Sequence, residues 1–412
     1  MVLNYIWVGF FLIAFVIAVL NLAITGDATT FRVVIDATFS ASRMAVLDIA
    51  LPLTGIMTLW LGFMNIGEKA GAIRIMSRIV GPFFSRLFPE IPKDHPASGQ
   101  LLMNFSANLL GLDNAATPMG LKAMKSLQEL NPNKEVASNA QIMFLAINTS
   151  GLAIIPVSII AQRAIMGASS PTDIVIPLLI TTYISTLAAI IFVGIKQKIN
   201  LLNSVFLGWI IGITAFLGTL TLYLSTLPEE QMQAVSSLVS NGLLLLIICG
   251  FIAGGVYKRI NVYEAFIDGA KDGFTTIIKI IPFLVGMLVA IAVFRASGAM
   301  GYLIDGIAWC VAAVGLPTDW VNALPTAIMR PLSGSGARAM MIESMATYGA
   351  DSFVGRLSAL FQGSTDTTFY IIALYFGSVG IKRIRYSVQA GLMSDFVGVI
   401  AAIFVAYLFF AL

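Results

Sequence analysis

Residues 361–368 read Phe-Gln-Gly-Ser-Thr-Asp-Thr-Thr, in the middle of an otherwise apolar stretch, 353–377, that is long enough to cross a bilayer. A hydroxyl, amide or carboxylate in hydrocarbon must find a partner, and irregular backbone at membrane depth persists only when buried in protein or lining a wet cavity. The stretch therefore reads as a broken helix. Asp366, flanked by five hydroxyl or amide side chains, is a functional candidate because an acid inside a span is costly to keep without a role.

The rest of the 412 residues fit that setting. Hydrophobic residues make up 58% and charged residues 11%, with a mean hydropathy of +0.91, whereas soluble domains carry about 25% charge. The fold class is an all-α polytopic membrane protein. A net charge of +3 is too small to argue for nucleic acid, and no such partner is expected. Cys249 and Cys310 lie in apolar helices with no second cysteine or histidine at ligand spacing and read as inert buried thiols. His95 sits beside Pro96 in a loop, and Cys-x-x-Cys, Gly-x-Ser-x-Gly and Walker patterns are missing. No enzyme and no cofactor are expected, leaving Na+ or H+ as a possible coupling ion. Residues 1–24 lack the basic region and cleavage site of a signal peptide and are expected to remain as the first span.

Apolar windows of span length fall at 4–24, 45–66, 140–162, 174–195, 203–225, 241–257, 274–294, 353–379 and 387–411. Two further stretches, 100–127 and 323–347, carry small polar residues at their centres, at 111–118 and 333–338. Each half is too short to span, so each stretch is predicted to be a re-entrant hairpin with its tip packed in protein. Helical segments at 67–90 and 298–316 link spans to hairpins. In the first, Arg74, Arg78 and Arg86 share one face, which fits either a helix on the inner membrane surface or a basic inner linker. Residues 226–239 are predicted to be an outer polar loop.

The chain also repeats itself. The run TTFRVVIDATFSASRMAVLDIALPLTG from Thr29 aligns with NVYEAFIDGAKDGFTTIIKIIPFLVG from Asn261, and FLAINTSGLAII from Phe144 answers ALFQGSTDTTFYII from Ala359. The division is 1–197 for the first copy, 198–239 for an extra span and outer linker, and 240–412 for the second copy. That single extra span makes the second copy start after an odd number of crossings, so the copies are expected to be inverted. Charge supports this. With the N-terminus inside, the inner segments hold Lys69, Arg74, Arg78, Arg86, Lys93, Lys122, Lys125, Lys134, Lys196, Lys198, Lys258, Arg259, Lys271, Lys382, Arg383 and Arg385. The outer segments hold Arg32, Arg43, Arg163, Arg295, Arg330 and Arg338. Two inverted repeats, each with a re-entrant hairpin and a broken helix, make an elevator-type, transporter-like architecture with its site near the midplane.

Four polar breaks then converge: the hairpin tips at 104–117 and 333–338, and the broken spans at 148–151 and 362–368. The second half of each broken span begins near Ile154 or Phe369, and its free N–H groups and dipole favour an anion or an electronegative ligand atom. Substrate candidates are Asn148, Thr149 and Ser150 from one copy, and Gln362, Ser364, Thr365, Asp366, Thr367 and Thr368 from the other. From the tips come Asn114, Thr117, Ser333, Ser335 and Arg338. The competing reading is that these groups only cap the breaks. Asp113 and Asp366 are possible coupling-ion ligands through hard oxygens. Arg330 reads as an anchor at the outer interface, and Lys122 and Glu343 as interfacial charges or gate salt bridges.

The residues also carry a resemblance. RLFPEIPKDHPASGQLLMNFSANLLGLDNAATPMGLKAMKSLQELNPNK resembles spore maturation protein A, and MRPLSGSGARAMMIESMATYGADSFVGRLSALFQGSTDTTFYIIALYFGSVGIKR resembles spore maturation protein B. Together they cover nearly the full chain, as in an A/B fusion. The resemblance implies the nucleoside-recognition or gate module, shared more distantly with concentrative nucleoside transporters and the membrane part of ferrous-iron transporter B. In those nucleoside carriers tips and unwound helices bind substrate, which maps by position onto Asn114, Thr117, Asn148, Thr149, Ser335, Ser364 and Asp366. The iron reading is weakened by the missing GTPase domain. The expected function is a secondary transporter of a small polar solute, anionic or nucleoside-like, in the bacterial cytoplasmic membrane, with a cytoplasmic N-terminus. Its partners are the solute and the bilayer, with a homo-oligomer possible. A non-transporting scaffold of the envelope or of spore maturation, or a gated pore, are the alternatives.

Overall fold

The computed structural model describes residues 2–26, 28–92, 95–110, 113–227 and 229–410, and the secondary structure there is helical apart from an isolated parallel bridge between Val136 and Arg383. The first helices are α1 (Val2–Thr25), α2 (Thr29–Arg43), α3 (Leu51–Ala70) and α4 (Ala72–Leu87), with α2 running into α3 through a π-helical segment, Met44–Ala50. There follow α5 (Pro96–Leu109), α6 (Asp113–Leu130), α7 (Asn139–Ser150), α8 (Val157–Ile165), α9 (Val175–Gln197), α10 (Ser204–Ser225) and α11 (Glu229–Tyr257). The second half holds α12 (Val262–Ala296), α13 (Ala299–Ala313), α14 (Leu324–Met329) preceded by a 3-10 turn, α15 (Gly334–Tyr348), α16 (Phe353–Gly363), α17 (Thr368–Ser378) and α18 (Ser387–Phe410).

Among the described residues six helices are long and apolar enough to cross a membrane, and a seventh crossing arises if the end of α12 and α13, bent by 72°, count as one. The chain is a multi-pass membrane protein. The expected spans at 140–162 and 353–379 are each two short helices around a break. The helix–turn–helix pairs α5–α6 and α14–α15 occupy the hairpin segments. Outward faces are apolar, with Leu12, Phe216, Leu246 and Phe404 all exposed, as lipid-facing helices require. Cys249 and Cys310, expected to be buried, are exposed instead. A uniformly apolar helix does not reveal which of its sides meets protein and which meets lipid.

A second correction concerns 226–239. Apart from Thr226 and Leu227 the described part of this segment is helical, because α11 begins at Glu229. Glu229, Glu230, Gln231, Met232 and Ala234 are good helix formers, and acids favour a helix N-terminus. The boundary placed at 239 therefore falls inside a helix.

The same order of elements occurs twice. In each half a long helix (α3, α12) turns at a left-handed glycine, Gly71 with φ 90° or Gly298 with φ 89°, into a shorter one. A hairpin, a broken pair and a long helix follow (α5–α9, α14–α18). The two broken pairs run antiparallel. Before α7, Ala137 N–H donates to Arg383 O beyond α17 (3.0 Å), and Lys382 N–H donates to Glu135 O (2.9 Å). At the other end, beyond α8, Ser169 N–H donates to Asp351 Oδ2 just ahead of α16 (2.8 Å). Between α9 and α18 the contact is reciprocal: Ser185 Oγ and Ser394 Oγ lie 2.7 Å apart, and each hydroxyl also faces the other residue's carbonyl.

Candidate functional site

Local sequence sets both breaks. Ser138 starts α7 with a capping box, its Oγ accepting Gln141 N–H while Gln141 Oε1 accepts Ser138 N–H. Gly151 ends α7 in the left-handed region (φ 65°), and α8 restarts after Pro156, which cannot continue a helical ladder from behind. In the second half α16 ends at Gly363, and α17 restarts after Thr367.

The breaks cross each other. Asp366 N–H donates to Thr149 O at 2.6 Å. The approach is so close that a Cβ on Gly151 would sit 3.0 Å from the Thr365 carbonyl carbon. Each break is also tied to its own hairpin: Ile154 N–H donates to Leu109 O (2.8 Å), and Phe369 N–H to Pro331 O (3.1 Å). N–H groups just ahead of α8 and in the first turn of α17 thus find partners in hairpin backbone.

Beside the crossing lies a cavity of about 580 Å³, lined by Asn108, Asn148, Ser158, Arg330, Ser333, Ser335, Arg338, Gln362, Thr365, Asp366, Thr367 and Tyr370 among apolar neighbours. Ser333 caps α15, its Oγ accepting Gly336 N–H (3.0 Å), with Ser335 Oγ 3.2 Å away. Asn148 Oδ1 accepts from Asn108 Nδ2 at 2.9 Å, while its own Nδ2 donates to Phe144 O. Gln362 Nε2 makes a long contact to Gly334 O (3.4 Å), and its buried Oε1 has no hydrogen-bond partner among the described residues. Arg330, expected at the outer interface, points inward: Nε and Nη2 both donate to Thr365 O, Nε at 2.7 Å, and Nη2 lies 3.6 Å from Asp366 Oδ1. It does so because Thr365 O, freed at the break, needs donors. Asp366 Oδ1 also accepts Thr367 N–H at 2.6 Å.

Other candidates lie away from the cavity or, like Thr365, line it with the hydroxyl engaged elsewhere. Ser150 Oγ donates to Ile147 O and Ser364 Oγ to Phe361 O, since a buried hydroxyl near a helix end is most readily satisfied by its own preceding carbonyl. Thr149 offers its carbonyl to the crossing and is not part of the lining. Thr365 and Thr368 both donate their hydroxyls to Asp395 of α18, at 2.6 Å each. Thr117 is exposed and away from the cavity. The side chains of Asp113 and Asn114 lie outside the described residues, and among the described residues no group of three or more His, Cys, Asp or Glu could hold a metal ion. Glu343 pairs with Arg295 (Nη2 to Oε2, 2.6 Å). Tyr370 and Asp395 are not among the residues the sequence singles out, and Asn108 is covered there only by the bounds of the tip at 104–117. Asp395 had the same signal as Asp366, an acid inside an apolar run.

An ionic cluster closes the end where α8 meets α16. Fully buried Arg163 donates to Asp173 Oδ1 (2.8 Å), Asp351 Oδ1 (3.2 Å) and Ala350 O (2.7 Å), and Arg356 Nε donates to Asp173 Oδ2 (2.9 Å). Burial works against the charged form of Asp351. The N–H of Ser169 and the guanidinium groups of Arg163 and Arg356 outweigh it and hold the carboxyl below the usual carboxylate range.

A multi-pass helical membrane protein with crossing helix breaks around a polar cavity is the class these features define. The chain belongs to the Gate family, described as nucleoside recognition, which matches residues 50–166 and 277–382. It is 44% identical to spore maturation protein B of Bacillus subtilis (strain 168) over 172 residues, 42% of this chain and 95% of that protein. It is also 44% identical to spore maturation protein A of the same organism over 188 residues, 46% of this chain and 92% of that protein. The chain is thus similar to the two joined as one polypeptide. No solved structure matches it.

Proposed function

We propose that this protein is a secondary carrier of a small polar solute bearing an anionic group, bound in the cavity beside the crossed breaks. The observation that carries the reading is the lining itself: Arg330 and Arg338 against the single carboxylate of Asp366, with the Asn108–Asn148 pair and the Gln362 amide alongside. A scaffold needs no such convergence of polar groups where helices break. Arg338, in the cavity lining, and the capped start of α15 are the groups that would face the anion. The family description favours a nucleoside-like body as a second reading.

In this reading the two halves are inverted repeats. The antiparallel broken pairs and the reciprocal Ser185–Ser394 contact support it. The cytoplasmic membrane with the N-terminus inside is the placement favoured by the basic residues, and a moving hairpin-and-break block is the elevator element. The test is a binding panel: thermal shift and vesicle uptake against carboxylates, nucleosides and nucleotides, with Arg338→Gln as the variant. Binding of an anionic class that Arg338→Gln abolishes supports the proposal. Binding of uncharged nucleosides that Arg338→Gln leaves intact refutes the anionic group, and a folded protein that binds nothing on the panel refutes the carrier. Cysteine labelling at Asn133 from the cytoplasm and at Ser169 from outside checks the orientation.

A further inference from the structure

Asp395 lies in the first half of the apolar helix α18, more than two turns from its start, and is only 5% exposed. It is not part of the cavity wall, and among the described residues no basic side chain comes within ion-pair distance of it. Its oxygens accept two hydroxyls, Thr365 to Oδ1 and Thr368 to Oδ2, one from inside the break of the second copy and one from the start of α17. The helix is shaped to allow this. A Cβ on Gly391, one turn before Asp395, would meet Thr368 Cγ2 at 2.4 Å and Thr149 Cγ2 at 3.3 Å, and one on Gly398 would meet Thr365 Cγ2 at 3.1 Å. Asp395 is therefore seated against both breaks.

The charged and titratable groups that face it are few. Arg330, from the α14–α15 turn, reaches the carbonyl of Thr365, and Asp366 is the next residue along the break. On the packed elements, Tyr370 and Tyr375 belong to α17. Arg356 at the start of α16 stacks on Phe410 and Lys196 at the end of α9 stacks on Phe192, while α7 carries no charge. An ionised carboxylate without a cation in such surroundings is expensive. What distinguishes this position from a structural acceptor is that both of its states can be satisfied. A hydroxyl donates or accepts as required, so Thr365 and Thr368 donate to the carboxylate, and one of them turns to accept when the carboxyl carries a proton.

We propose that Asp395 is a proton-binding site whose occupancy sets the conformation of the crossed breaks, so that the proton is the coupling ion of the carrier; the coupling role rests on the carrier reading above. Thr365 connects it to the cavity, which that residue also lines. A hydronium ion in the cavity gives a proton to Thr365 Oγ1 as the Thr365 O–H proton passes to Asp395 Oδ1. One O–H bond forms and one breaks at the threonine, a water molecule remains, and the reverse path returns the proton. Protonation turns the Thr365 hydroxyl around, at the residue whose carbonyl Arg330 holds and whose neighbour Asp366 bonds Thr149.

The experiment needs no identified solute. Cys249→Ala and Cys310→Ala remove the native thiols, Ser335→Cys places a reporter in the cavity wall, and the protein is held in lipid nanodiscs. Infrared difference spectra across a pH titration follow protonated carboxyls, and thiol labelling follows cavity access, each rate divided by that of Asp395→Asn at the same pH to cancel thiol ionisation. The expected result is a carboxyl band that titrates in the parent and is lost in Asp395→Asn, and a labelling ratio that changes with pH across the same range. Should Asp395→Asn fail to fold, Thr368→Val keeps the acid, removes one donor, and is expected to move the midpoint. A band unaffected by Asp395→Asn, a flat labelling ratio, or in the fallback a midpoint unmoved by Thr368→Val overturns the proposal. A protein that carries nothing on the solute panel yet gives both expected results keeps the proton site and loses the carrier.

Discussion

Replacing Arg330 by Met tests which of its two contacts organises the break. The guanidinium donates through Nε and Nη2 to Thr365 O, and Nη2 lies 3.6 Å from Asp366 Oδ1. The arginine side chain is 12% exposed, whereas that of Asp366 is 47% exposed. A hydrogen bond from a charged donor contributes about 1.5–3 kcal/mol, and its loss here leaves a break carbonyl without its donors. A half-exposed ion pair at that separation contributes about 0–1 kcal/mol. Arg330→Met is therefore expected to cost about 2–4 kcal/mol and Asp366→Asn at most about 1 kcal/mol, with a coupling below about 1 kcal/mol between them. Unfolding in detergent, followed by tryptophan fluorescence for both single variants and the double variant, gives all three numbers. Equal losses from the two single variants, or a coupling of about 2 kcal/mol or more, would show that the carboxylate and not the carbonyl is what Arg330 holds.

Gly151→Ala is expected to destabilise by about 2–4 kcal/mol, combining the left-handed backbone with a methyl pressed on Thr365; Gly208→Ala, in open space within α10, is the control and is expected to cost nothing. Asp351 has its folded-state pKa below its unfolded value, so its contribution is present above the unfolded value near about pH 4 and is lost as pH falls through the folded one. Acid unfolding curves of Asp351→Asn are expected to converge with those of the parent at the lowest pH. Cysteines at Ser185 and Ser394, whose hydroxyls are 2.7 Å apart, are expected to cross-link α9 to α18 under mild oxidation, seen as a shift on a gel after cleavage between the halves; no cross-link would refute that packing.

The multi-pass class, the hairpins and the broken spans were all legible in the sequence, because a polar residue in an apolar run has few places to go. What a hydroxyl points at was not legible. Ser150, Ser364, Thr365 and Thr368 look alike in sequence to a residue that faces a cavity, yet local carbonyls and Asp395 claim them. Arg330 was misplaced because its proper partner, Thr365 O, is a backbone atom exposed only by the fold. Asn108 enters the site through its contact to Asn148, 40 residues away, which no local pattern announces. The helical start of α11 was hidden by a proline and two acids that read equally well as a loop or as a helix N-terminus.

Four of the contacts around the crossing run between the first half of the chain and the second: Thr149 with Asp366, Glu135 with Lys382, Arg163 with Asp351, Ser185 with Ser394. The peptide connection between the halves also keeps them at high effective concentration. The A-like and B-like halves therefore form what is in effect an obligate heterodimer tethered into one chain. Residues 1–226 and 227–412 expressed as separate polypeptides are expected to co-purify as a stable pair, whereas either one alone would expose half of a cavity wall to lipid and aggregate or be degraded.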